Sequence, residues 1–143
     1  MKFTGIAAAI AAALLCSAAL ADSEADFNKE VPGYAKCMKK ATANTDILDC
    51  ISIARKHYDK LLNDNYKKAM KHCEVRREIT GGAGVDLCKK KLKEAERAWI
   101  KYRDLMAEYV YQVNLGSIDQ LNSAGFVAEE TRKQALLLEV NDD

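Results

Sequence analysis

From Asp46 to Ile79 the chain has no Gly or Pro, and its apolar positions fall at Ile47, Ile51, Ala54, Tyr58, Leu62, Tyr66, Ala69 and Cys73. That spacing lines one face of a helix about 50 Å long at 1.5 Å per residue. Thr80-Gly81-Gly82-Ala83-Gly84 interrupts the pattern, and Asp86 is placed to cap the next helix. A second stripe then runs Cys88, Leu92, Ala95, Trp99, Tyr102, Met106, Tyr109 and Val113, in alternating steps of four and three. Such a seam belongs to a helix packed along another helix, and it is expected to run to about Asn114 and stop at Gly116. The pattern predicts an all-α fold built on a long antiparallel helical hairpin.

Shorter elements flank the hairpin. Pro32 suits a first helical position, and Tyr34, Cys37, Met38 and Ala41 give a short amphipathic helix before Thr42-Ala43-Asn44-Thr45 breaks it. Asn44 or Thr45 is expected to cap the first long helix, with Asp46 and Asp49 in its first turn. Beyond the hairpin, Phe126, Val127, Thr131, Ala135 and Leu138 suggest a last helix with Glu129 and Glu130 in its first turns, its apolar face laid on the hairpin. Residues 22–31 are polar and acidic, with Asp22, Glu24, Asp26 and Glu30, and read as a flexible leader.

The first 21 residues read as an address. Lys2 supplies a positive start, Ile6 to Leu15 is an apolar run too short to span a bilayer, and Ala19-Leu20-Ala21 is a small-x-small cleavage site. A lipoprotein reading of Cys16 is disfavoured by Leu15 before it, where Gly, Ala or Ser is normally needed. Residues 32–143 are then one exported helical domain, periplasmic or secreted after cleavage near Ala21, with no transmembrane segment in the mature chain.

Export decides how the cysteines are read. Four remain after cleavage, Cys37, Cys50, Cys73 and Cys88, an even number in an oxidising compartment. Facing residues in an antiparallel hairpin have numbers that sum to a constant. The constant that joins Cys73 to Cys88 also joins Ala69 to Leu92, Tyr66 to Ala95 and Leu62 to Trp99, all members of the two stripes. A Cys73–Cys88 bridge near the tip is therefore expected, and Cys37–Cys50 would clamp the short helix to the first long one.

Nearly the same register brings Asp59 towards Arg103 and Asn63 towards Trp99, with Asp59 and Asn63, and likewise Trp99 and Arg103, spaced i, i+4 on one helix. An Arg fork can hold the carboxylate bidentately, and an Asn amide can serve the indole N–H. The cluster reads as a structural ion pair that fixes helix register; the sharper alternative is a ligand site.

The run Ala95-Glu96-Arg97-Ala98-Trp99-Ile100-Lys101-Tyr102-Arg103-Asp104 is similar to the signature of the LprI-type lysozyme-inhibitor domain family, with Glu96 where Gln is usual. Cys37…Ala41…Asp46…Cys50 and Tyr58-Asp59…Leu62-Asn63…Tyr66 extend the resemblance over most of the mature chain. It implies an exported bacterial helical domain whose partner is a lysozyme or another peptidoglycan hydrolase. Many members carry a further Cys after the Arg-Asp of the signature, where this chain has Leu105-Met106-Ala107. Residues 117–124 therefore lack the crosslink that pins them elsewhere.

Other chemistry is sparse. The chain carries 22 basic and 21 acidic residues, and cleavage removes one Lys, so the mature protein is formally neutral and no nucleic-acid binder is indicated. His57 and His72 stand alone, no metal set or cofactor motif is legible, and no nucleophile–base pair points to an enzyme. Lys89, Lys90, Lys91 and Lys93 form one dense basic run, read as a solvated helix start. The function expected is inhibition of a lysozyme-like enzyme. The alternatives are a non-catalytic structural or adaptor protein of the envelope, or an immunity-type protein against a cell-wall-degrading effector.

Overall fold

The structure is a computed structural model that describes residues 24–113 and 116–140. The address segment, its cleavage site, Cys16 and the expected helix end at Asn114 lie outside the described residues. Five α-helices are formed among them: α1 (24–30), α2 (Tyr34–Met38), α3 (Asn44–His72), α4 (Arg77–Val113) and α5 (Ser117–Leu137), with a 3-10 turn at Cys73–Arg76 before α4. No strand occurs among the described residues, and the all-α hairpin architecture stands.

The chain reverses in less space than the glycine run suggested. Gly81 alone leaves helical geometry inside α4, at φ 66° and ψ −176°, a region that favours a residue without Cβ. Helix resumes at once, so Asp86 lies inside α4 and caps nothing. Gly84 is required for a different reason, since a Cβ there would stand 2.4 Å from the Thr80 side chain. Cys73 and Cys88 are bridged across this tip with their Cα atoms 5.9 Å apart, and Cys37 and Cys50 are bridged at 5.6 Å.

Helix starts are set by carboxylates one turn in rather than by the residues expected. Ala43 is the N-cap of α3, and Asp46 accepts the backbone N–H groups of Thr42 and Ala43 at 2.9 and 3.1 Å. Those bonds hold the Asp46 carboxyl below its usual range. At α5, Gly116 is the N-cap and its N–H donates to the buried Asp119 at 2.6 Å. The last helix therefore begins nine residues earlier than Phe126 and takes in 117–124, and Glu129 and Glu130 stand mid-helix, not in its first turns.

The hairpin is opened by this longer helix. α5 packs against both α3 and α4, running parallel to the first and antiparallel to the second. Its buried positions include small residues, Gly125, Ala128, Thr131 and Ala135, and Ala128 packs among the apolar side chains of α3. Asn65 reaches across to donate to the Ala135 carbonyl at 2.8 Å, and Ser123 donates to the Ala107 carbonyl of α4 at 2.9 Å.

The segment expected to be a flexible leader is instead part of the core. α1 buries Phe27, only 2 % exposed, and Val31 comes after it, also turned inward. Phe27 meets the rings of Tyr34 and Tyr58, each at 5.5 Å between centroids, and joins Cys50, Ile51, Ala54 and Ala128 in one apolar cluster. Burial of one aromatic anchor, worth about 2–3 kcal/mol, is enough to order a two-turn helix that charge density alone would leave loose.

Candidate functional site

The expected stripe of α3 is turned inward over most of its length, with Ile51, Ala54, Tyr58, Leu62 and Cys73 buried. α4 is different. Leu92, Trp99 and Met106 face inward as expected, whereas Ala95, Tyr102, Tyr109 and Val113 face out. Their inward places are taken by Glu96, Arg103 and Val110. The helix is rolled because α5 lies beside it and offers polar partners: Gln134 donates to the Glu96 carboxylate, and Arg103 donates to Thr131 Oγ1 at 3.4 Å.

This roll builds a groove of about 380 Å³ between α3 and α4, on the side away from α5. Asp59, Leu62, Asn63 and Tyr66 form one wall; Glu96, Trp99, Ile100 and Arg103 form the other. Leu62, Tyr66 and Trp99, members of the two stripes, all line it, whereas Ala95, the residue expected opposite Tyr66, faces out. All four residues of the expected polar cluster, Asp59, Asn63, Trp99 and Arg103, line it.

Their bonding differs from the expectation. The Arg103 guanidinium donates from Nε and Nη2 to its own neighbour Asp104, at 2.9 and 2.8 Å, and lies 4.9 Å from the centre of the Trp99 ring. Asp59 sits 3.7 Å from Arg55 on its own helix, and Asn63 donates to the Asp59 carbonyl at 2.7 Å. No ion pair joins Asp59 to Arg103. Once α5 separates the long helices, local partners on each helix are nearer than partners across the groove.

The charge cluster that does join distant segments was not legible in the sequence. Arg132 of α5, with its side chain 15 % exposed, donates to both oxygens of Glu30 at 2.7 and 2.8 Å and lies 3.2 Å from Asp26. Glu129 stands one turn away at 3.6 Å. Tyr58 of α3 donates its hydroxyl to the same Glu30 at 2.9 Å. Arg132 holds the Glu30 carboxyl below its ordinary value, and burial, helped by Glu30, pushes the Tyr58 phenol up. The Tyr34 phenol is pushed up to about 12 by burial. The one available signal was the Phe27–Val31 spacing, i, i+4, inside the acidic stretch.

A third feature is the tip. Glu74 accepts from Lys89 and from Arg77, which together hold its carboxyl low and tie the 3-10 turn to α4. Around this tie Val75, Ile79 and Leu87 are exposed, Ile79 most of all at 83 %. Between Lys67 and Lys93 the chain has nine basic residues against three acidic ones. No group of three or more His, Cys, Asp or Glu able to hold a metal occurs among the described residues. No helix among them is long and apolar enough to cross a membrane.

The described residues thus form a crosslinked helical frame with a shallow groove and a braced, exposed tip. The family model described as lysozyme inhibitor LprI matches residues 37–138, and the chain belongs to that family. No curated protein and no solved structure matches it. The signature run Ala95 to Asp104 thus supplies one wall of the groove, and the matched span holds both disulfides and all of α5.

Proposed function

We propose that the mature protein is an exported, non-catalytic inhibitor that binds a lysozyme-like glycosidase and blocks its cleft. The observation that carries this reading is the family match over residues 37–138. Two disulfides fit an oxidising compartment outside the cytoplasm, and the address segment supplies the route.

Glycosidases of this type cut with two carboxylates in an open cleft, so blocking requires only an insert of complementary shape and charge. The tip is suited to that. Its apolar crown of Val75, Ile79 and Leu87 is ringed by lysines and arginines, and the Cys73–Cys88 bridge and Glu74 limit the entropy lost on binding. The segment after Gly116, a second possibility for the binding element, is not a loop but the first turns of α5.

The direct test is clearing of a cell-wall suspension by lysozymes of several classes, with and without oxidised mature protein. Inhibition of at least one class is expected. Undiminished clearing by every class at large molar excess would sink the reading.

A further inference from the structure

The roll of α4 leaves half of its seam without a partner. Ala95, Ala98, Tyr102, Leu105, Tyr109 and Val113 form a continuous outward stripe, in which Tyr102, Leu105, Tyr109 and Val113 are 51, 54, 59 and 52 % exposed. The stripe is separate from the buried face that meets α5 and lies on a helix with regular geometry beyond Gly81. From Ala95 to Tyr109 its steps alternate between three and four, the spacing that keeps residues against a second helix over several turns. Isolated exposed apolar residues need no explanation, but a heptad-spaced row about 21 Å long does.

From this geometry we infer that the outward face of α4 is the interface of an antiparallel homodimer, with the same helix of a second copy as its occupant. Three properties of the stripe fit a two-fold axis passing between Tyr102 and Leu105. With that axis, Tyr102 of each copy meets Leu105 of the other, and Ala98 meets Tyr109, so a small residue stands opposite a large one in the outer layers. The solvent-side flank of the stripe carries Glu94, Lys101 and Glu108, and the same axis sets Lys101 of one copy near Glu108 of the other, twice over. A parallel pair would put Glu94 and Lys101 against Trp99 and Met106 on the other flank, with no opposite charge to meet. The self-complementary pattern therefore selects both the occupant and its direction.

Such a dimer leaves the groove and the tip uncovered and points the two tips in opposite directions, so each copy could engage its own target. The inference is independent of what that target is.

Sedimentation velocity on the oxidised mature protein over a range of concentrations tests it. A reversible dimer is expected, and Lys101→Glu or Glu108→Lys alone should weaken it at least about tenfold by placing like charges together. The double variant Lys101→Glu with Glu108→Lys restores opposite charges and should recover the wild-type constant. Both residues are exposed, so helical content and melting temperature should stay at wild-type values in all three. A wild-type chain that remains monomeric up to about 100 μM, or a dimer indifferent to the single reversals, would overturn the proposal.

Discussion

At the scale of single residues, the ion pairs in this protein are unequal, and burial decides which of them matter. Asp59 is 41 % exposed at its side chain and pairs with Arg55 one turn away, so Asp59→Ala is expected to cost under about 1 kcal/mol. Arg132 is a different case, because it joins α1, α3 and α5 through Glu30, Asp26 and Tyr58. Its partners retain some solvent, so Arg132→Met is expected to cost about 2 kcal/mol, between the surface and fully buried values. Urea denaturation of both variants checks the contrast. The pH dependence gives it a sign. The Glu30 carboxyl is held below its ordinary value of 4.5 by Arg132, so the folded state binds fewer protons than the unfolded one just above the depressed value. The stabilisation is full above the unfolded carboxyl's titration and fades as pH falls through the folded one. The gap between wild type and Arg132→Met should therefore be widest near neutral pH and narrow in acid.

At the scale of elements, what was legible came from periodicity and from cysteine parity. The α3 stripe, the hairpin and both crosslinks were all readable, because each rests on spacing along one or two helices. The roll of α4 was not. It depends on α5 carrying Thr131 and Gln134 where they can receive Arg103 and Glu96, and a hydrophobic pattern has no term for a buried polar face. The start of α5 is hidden for a related reason, since Gly116 and Asp119 form the cap while the apolar signal strengthens only at Phe126. α1 is hidden because four acidic residues in ten outweigh one aromatic in the pattern. That difference yields a clean test. Phe27→Ala should destabilise the protein by about 3 kcal/mol, as expected for a buried Phe truncated in a packed core. A calorimetric melt unchanged by the substitution would return residues 24–30 to a loose leader.

At the scale of the whole molecule, a nearly balanced chain, with 22 basic residues against 21 acidic ones, conceals a division of charge along its length. The tip region from Lys67 to Lys93 has nine basic residues and three acidic ones, so the rest carries the balancing excess of acid, including Asp26, Glu30, Glu129 and Glu130. General electrostatics allows two orientations of a bound glycosidase, and they predict opposite results. If the tip enters a carboxylate-lined cleft, Lys89→Glu, Lys90→Glu and Lys91→Glu together should reduce inhibition at least about tenfold at low salt, mostly by slowing association. If the acidic end docks on a basic enzyme surface, the same three changes should leave inhibition intact or strengthen it. Salt screens both arrangements, so salt dependence alone does not separate them, whereas the sign of the charge-reversal effect does. Lys90 and Lys91 pair with Glu94 of their own helix on the solvent face, at 3.9 and 2.9 Å, whereas Lys89 holds Glu74 of the 3-10 turn. A companion variant that reverses only Lys90 and Lys91 keeps that tie and separates loss of charge from loosening of the tip. Weaker inhibition by this companion, with an unchanged melting temperature, is the outcome expected of a tip that acts by insertion.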